Sequence, residues 1–378
     1  MLGAVARRAS SCVALIRCLR PVHGPVLGPV LPRISACHQH TAPRQSPQKR
    51  WALSVSPYTC VRAELASCNL SISPLDPHAF PESDQAFITV HGVSAGQEAA
   101  LDHCHVLYDE ERRELRITGG DGDSNLSIDL EAPVQSNLLI SCAGSGHVHI
   151  SKMECDICKV STQEGNCTLH SVKSHHVEVR SSGGCVTGLG TIHGNVDIVS
   201  TGQSSVDVKK LQGTTMNVST EHGSLKVKAI YAESSSIASC TGTVQLGHVH
   251  GNATVKNESG DTVIDGSNSA MQVSSHTGDI DLYVGDGGSA DVFSDQGSVR
   301  LRVPSTLKAA VDLCGASVDI SPEVVLHGAE TREAPDQTNV TGFLNGESHL
   351  EQPHLKAHTK TGSVRLKAQS WFESLKLS

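Results

Sequence analysis

Several short patterns in this 378-residue chain place chemically able side chains at meaningful spacings. Gly92-Val-Ser94-Ala-Gly96 matches the G-x-S-x-G nucleophile elbow, which would expose the Ser94 hydroxyl on a strand-to-helix turn for acyl transfer. Cys155-Asp-Ile-Cys158 is a C-x-x-C pair able to cycle as a dithiol or to contribute two ligands to a metal. His147-Val-His149 and His248-Val-His250 sit at the i, i+2 spacing that puts both imidazoles on one face of a strand. Asp121-Gly-Asp123-Ser-Asn125 opens like a calcium loop, and the strand-spaced carboxylates Asp279 and Asp281 resemble those of β-helix enzymes acting on acidic polysaccharides.

Each pattern demands a setting. An elbow serine needs a parallel sheet with helices between its strands, yet the residues after Gly96 read as strand and turn. A structural zinc site needs a second ligand pair, which Cys155 and Cys158 lack, and a thioredoxin-type pair needs a βαβ unit. The calcium loop requires glycine at its sixth position and glutamate at its twelfth, where this chain has Leu126 and Ala132. The two histidine pairs lie about five coils apart, roughly 25 Å at the strand spacing, so they cannot share an ion. Solvated outward histidines and an acidic turn are the plainer readings. Catalytic, cofactor-binding and metal-ligating residues are therefore all expected to be none.

The elements that would position these side chains announce themselves through glycine. Gly146, Gly165, Gly184, Gly202, Gly223, Gly242, Gly260, Gly278, Gly297 and Gly315 recur over 169 residues in nine intervals, 18.8 residues each. Several open the same phrase of alternating apolar and polar residues, as in Gly223-Ser-Leu-Lys-Val-Lys and Gly297-Ser-Val-Arg-Leu-Arg. A second strand follows about nine residues later, as in Met216-Asn-Val-Ser and Ala290-Asp-Val-Phe. This is the signature of stacked coils. The expected fold is all-β, a right-handed parallel β-solenoid with coils of about 19 residues. The hexapeptide alternative fails because six-residue steps from Ile280 and Val299 reach Asp286 and Ser305. A longer echo links Leu126-Ser-Ile-Asp-Leu-Glu-Ala-Pro…Cys142 to Val299-Arg-Leu-Arg-Val-Pro…Cys314, as though two related blocks were joined in tandem.

Aromatic residues make up only 3% of the chain, so its core must rest on Val, Ile, Leu, Ala and Cys. Thin coils in register can bury such residues. Carbohydrate-stacking platforms become hard to build. Residues 1–50 hold eight basic and no acidic side chains, the composition of a mitochondrial transit peptide, which implies residence in the matrix. Residues 51–378 carry 22 basic and 39 acidic groups, near −17, which disfavours nucleic acid and anionic lipid as partners. No run approaches the roughly 20 apolar residues of a membrane span. Residues 51–84, rich in proline, read as an irregular lead-in; 85–378 is the solenoid, with Phe87–Val90 as its first strand and a helix expected over Gln97–Cys104. A loop insertion is expected at 321–354 and a last coil at Thr361-Gly-Ser-Val-Arg-Leu-Lys. The ten cysteines outside the transit segment show no disulfide-module spacing and are expected to be reduced core residues.

The phrase Ser/Thr-x-x-Gly-x-Val-x-Leu/Ile, repeated over most of residues 85–370, resembles the bacterial putative-adhesin domain. That resemblance implies a β-solenoid and supplies no catalytic residues. The expected function is a non-enzymatic binding or scaffold protein in mitochondria whose acidic lateral surface meets a protein partner with a basic face. Two rivals have sequence support: an enzyme, as a serine hydrolase at Ser94 or a polysaccharide-active β-helix, and a metal- or redox-responsive protein using Cys155, Cys158 and the histidine pairs.

Overall fold

The computed structural model describes residues 48–92, 101–119, 126–346 and 353–369, all within the compact unit 45–378. Ser94, most of the expected Gln97–Cys104 helix, the Asp121–Asn125 turn and residues 1–47 lie outside the described residues. Within residues 101–104 the Cys104 N–H donates to the Leu101 carbonyl at 3.3 Å in a turn. The fold is all-β, with 28 strands among the described residues.

Parallel stacking follows from the repeat. Cys167 lies opposite Val186, Val206 opposite Leu225 and Ile280 opposite Val299, each pair 19 residues apart. Every coil contributes two strands, and in Val186–Ser200, Leu225–Thr241 and Val244–Ser259 these run on through a corner as one. Alternation sends one set of side chains inward. Val206, Leu225, Val244, Thr262, Ile280, Val299 and Val364 form one internal row, and Val218, Ile237, Val255, Val273, Val292 and Ala357 another, all buried. Their small size lets the opposed strands of one coil close on each other, which is why a core almost without aromatic rings is sufficient.

The glycine period has a steric cause. A Cβ on Gly165 would overlap the carbonyl oxygen of Gly146, and one on Gly278 would overlap that of Gly260, where φ is also +122°. Each turn thus rests backbone on backbone against the preceding turn. Three residues before most of these glycines stands a buried polar residue: Thr162, Ser181, Thr220, Ser239, Asn257, Ser275, Ser294 and Thr359. Ser181 Oγ donates to the Gly184 carbonyl at 2.5 Å, Asn257 Nδ2 to Gly260 at 2.8 Å, and Thr359 Oγ1 to Gly297 at 2.8 Å. Ser181, Asn257 and Thr359 thus satisfy turn carbonyls from inside the core, whereas Thr220 bonds Ser239 and the buried Thr162, Ser275 and Ser294 hydroxyls have no hydrogen-bond partner among the described residues. Two members of the glycine series fall outside this column. Ser204 occupies the level expected for Gly202, because Val186 pairs with Val206, and Ala316 rather than Gly315 lies opposite Gly362.

Both ends of the stack depart from chain order. Cys60–Leu65 lies between Glu114–Gly119 and Asn137–Cys142, and Asn69–Pro74 lies between Leu126–Ala132 and Val148–Ser151. At the other end His354–Thr359 lies between Ser289–Gln296 and Ala309–Gly315, and Ser363–Ala368 between Val299–Val303 and Ser317–Ile320. A coil from each chain end is thus threaded inward by one layer. Antiparallel strands then close the ends: Gln85–Gly92 and Gln48–Ser54 on one side, Gln337–Leu344 and Leu326–Ala334 on the other.

These facts correct three expectations. Residues 51–84 contain the strands Cys60–Leu65 and Asn69–Pro74 and part of Gln48–Ser54, because alternation over Val61, Ala63, Leu65, Leu70 and Ile72 outweighs prolines that sit at strand ends and turns. Gln48, Lys49 and Arg50, counted with the transit segment, belong to the first strand. The 321–354 region is not a loop. It carries a hairpin whose turn is Pro335-Asp336, and the final coil is an internal layer rather than the end of the stack.

Candidate functional site

The outward side chains decide what this solenoid can do, and many are engaged in holding neighbouring coils. The His147 N–H donates to Asn69 Oδ1 at 2.9 Å, His147 Nδ1 accepts from the Asn166 N–H at 3.0 Å, and Asn166 Oδ1 accepts from the Cys185 N–H at 2.9 Å. The same device recurs where Asp261 Oδ1 accepts from the Asp279 N–H at 3.0 Å and Asp279 Oδ1 from the Ser298 N–H at 2.7 Å. His147 and Asp279 thus stitch one coil to the next, with His149 half-buried beside Thr168 on the following coil.

Asp281 is equally committed. It bonds the Arg302 Nε and pairs with the Arg300 guanidinium at 3.3 Å. Arg302 is only 6% exposed. Its guanidinium donates to the Ile264 carbonyl at 3.2 Å, lies 3.5 Å from Asp265 and stands 5.9 Å over the Tyr283 ring. Asp281 is thus held by two guanidinium groups and the Asp279 carboxylate by the Ser298 N–H of the next coil, so both serve cohesion. Sequence reading missed Arg302. Its only signal was a second arginine in Val299-Arg-Leu-Arg-Val, and the burial depends on Tyr283 and Asp281 from the preceding coil.

The C-x-x-C pair is divided by burial. Cys158 is fully buried, and desolvation pushes its thiol well above the ordinary range. Cys155 lines an open cleft of about 430 Å³ with Glu154, Asp156, Lys173, Ser174 and His175. Burial pushes the Cys155 thiol up to about 11, so it stays protonated near neutrality and is a weak nucleophile. The polar groups around it are occupied: Lys173 pairs with Glu154 at 2.6 Å, His175 with Asp156 at 3.0 Å, and Ser174 Oγ donates to the carbonyls of Asp156 and His176. Six of the ten described cysteines are buried. Among the described residues no group of three or more His, Cys, Asp or Glu side chains converges as a metal site.

His248 and His250 stand in a different setting. His250 stacks on Tyr231 with ring centroids 4.5 Å apart and planes 9° from parallel. Both histidines line a second cavity, of about 300 Å³, together with Tyr231, Gly266, Asn268 and Tyr283. They are half-buried, not the freely solvated histidines expected. Elsewhere the surface carries ion pairs within and across coils. Lys159 and Arg180 hold Glu178, lowering its carboxyl to about 2, while Lys360 and then His276 lower that of Asp295. No helix among the described residues is long and apolar enough to cross a membrane.

The Toastrack DUF4097 family model matches residues 193–366. Three solved structures are similar to the chain. A putative adhesin from Parabacteroides distasonis is 12% identical, covering 68% of this chain and 97% of its own at a TM-score of 0.41. A putative adhesin from Parabacteroides merdae is 11% identical, with 67% and 95% covered and a TM-score of 0.37, and a putative cell adhesion protein from Clostridium sporogenes is 8% identical, with 86% and 100% covered at 0.25. The matched segment runs from the coil of His193 to Leu366 in the threaded C-terminal layer, and it supports the resemblance of this chain to the bacterial putative-adhesin domain.

Proposed function

We propose that this protein is a non-enzymatic binding or scaffold protein of the mitochondrial matrix, presenting the lateral faces of its solenoid to a protein partner with a basic surface. One observation carries the reading: the polar side chains that could have done chemistry are engaged in joining coil to coil, as with His147, Asp279, Asp281 and Ser174, while the strand faces between the two capped ends stay continuous. A continuous face suits an extended protein contact. The excess of acidic over basic groups in residues 51–378 favours a complementary, salt-sensitive partner. The basic, acid-free leader supports import.

Proximity labelling from the C-terminus tests compartment and partner together. Deleting residues 1–47, which leaves the first strand whole, should abolish mitochondrial residence. Capture of the partner should weaken as salt rises and survive Ser94→Ala and the double change Cys155→Ser/Cys158→Ser. Loss of capture in either variant, with circular dichroism unchanged, refutes the scaffold reading; residence unaffected by the deletion refutes the targeting one.

A further inference from the structure

The cavity beside Tyr231 has the makings of a ligand site. Tyr231 covers one face of the His250 ring. The coil that follows offers little bulk at this level: Gly266 lies opposite His248, and a Cβ there would come within 3.0 Å of His248 Nδ1. Asn268 stands nearby at the rim, and Tyr283 lines the far side. The result is a slot of about 300 Å³ with ring walls and an amide able both to donate and to accept.

Cations stand against its rings. Lys210 Nζ lies 4.8 Å from the Tyr231 ring centroid and Arg302 lies 5.9 Å from that of Tyr283. Lys209, Lys226 and Lys228 crowd the same two coils, Lys226 opposite Gln245 and Lys228 beside Ala229, the residue facing His248. Among the described residues none of these four lysines makes an ion pair, although Asp207 lies opposite Lys226, and Asp265 and Asp281 are engaged by Arg302. Lys228 adjoins Ala229, one layer of about 4.8 Å before His248, and Lys226 lies two residues, roughly 7 Å, further along that strand, so their long side chains can approach a phosphate on a sugar whose base occupies the slot. Asp207, Glu233 and Asp286 border the area and would repel a longer polyanion.

We infer that this cavity binds a mononucleotide, its base stacked on His250 with an edge toward Asn268 and its phosphate held by Lys226 and Lys228. Calorimetric titration of the full chain with AMP and GMP tests this, with adenosine, inorganic phosphate and a single-stranded oligonucleotide as comparisons. AMP or GMP should bind saturably and both comparison fragments should bind more weakly. Affinity should fall at least about tenfold in Tyr231→Ala, in His250→Ala and in Lys226→Glu/Lys228→Glu, as expected for the loss of one stack or of the phosphate charges. Lys256→Glu, on the other strand of the coil, should bind like the parent. Tyr231 and the two lysines are exposed, so these variants should fold, and circular dichroism checks that they do. No saturable binding by either mononucleotide overturns the proposal. So does adenosine binding as tightly as AMP, an unchanged affinity in the Tyr231 or double-lysine variant, an equal loss in Lys256→Glu, or an oligonucleotide bound more than about tenfold more tightly than AMP, which would make the patch a polymer site.

Discussion

Removing residues 353–378 should do far more than shorten the stack. An end coil of an ordinary solenoid contacts one neighbour, so its loss costs one interface and leaves the rest standing. Here His354–Thr359 and Ser363–Ala368 are bonded on both sides, and their removal leaves Val299–Val303 and Ser317–Ile320 two layers apart, roughly 10 Å, with nothing between. Leu355, Val364 and Leu366 are wholly buried. At about 1.5–3 kcal/mol each, their burial contributes on the order of 5–9 kcal/mol, comparable to the whole stability of a typical domain. The loss should fall on residues 309–344, whose route back to the stack passes through the missing coil. Hydrogen exchange read by mass spectrometry is the assay: in the truncated chain amides of 309–344 should lose protection, whereas those of 186–259 keep theirs. Leu366→Ala gives the graded version, about 2–5 kcal/mol less stable. Retained protection across 309–320 in the truncated protein would show that this block docks directly on Val299–Val303 and would refute the threading argument.

Leu282→Asp and Leu301→Asp should each unfold or strongly destabilise the protein, since both side chains are wholly buried in the row Ile264, Leu282, Leu301, Leu366 and an unpaired carboxylate there costs several kcal/mol; thermal melts indistinguishable from the parent's would mean that the row faces water. Stability should decline at both extremes of pH. Glu178, lowered to about 2, lends stability that is complete above its ordinary 4.5 and lost as pH falls toward 2, about 1 kcal/mol after solvent screening. Cys167 is fully buried and raised to about 12, so its contribution is complete below 9 and lost as pH rises through 12, on the order of 4 kcal/mol. Denaturant titrations across pH should show Glu178→Gln flattening the acid limb and Cys167→Ala the alkaline one, and limbs unchanged in these variants would contradict the assignments.

Legibility in the sequence followed the range of the interaction. Glycine recurrence and two-residue alternation are written within a single coil, so the all-β repeat could be read directly, together with a core of small aliphatic residues. Coil-to-coil partnerships could be read only in part. The polar residue three positions before most of the glycines was visible as a phrase, but the hydrogen bonds that Ser181 and Asn257 make to a turn carbonyl inside the core needed the turn itself. The candidate site was hardest to read. The His248 and His250 pair was visible, yet its meaning depends on Tyr231 from the preceding coil, on the missing side chain at Gly266 beside the His248 ring and on Tyr283, none of which lies within a single motif.

The echo between Leu126…Cys142 and Val299…Cys314 receives a structural reading beyond tandem descent. After each first strand comes a proline turn, closed by the Ser136 N–H on the Pro133 carbonyl at 3.0 Å and by the Leu307 N–H on the Pro304 carbonyl at 3.2 Å. After each turn the chain skips one layer of the stack. The layer skipped by the first block is filled by residues 60–74, from the N-terminal side, and the layer skipped by the second by 354–368, from the C-terminal side. Similar sequence thus marks the same geometric task at opposite ends, a jump that leaves a slot for a distant coil. A parallel solenoid grown only by adding neighbours would leave an open edge at each end, free to pair with another chain. Threading makes each end wait for a segment far away in sequence, and antiparallel strands then cover the completed layer. The ends should therefore be the slowest parts to form, since their contacts must close the longest loops, while the middle coils assemble from residues one period apart.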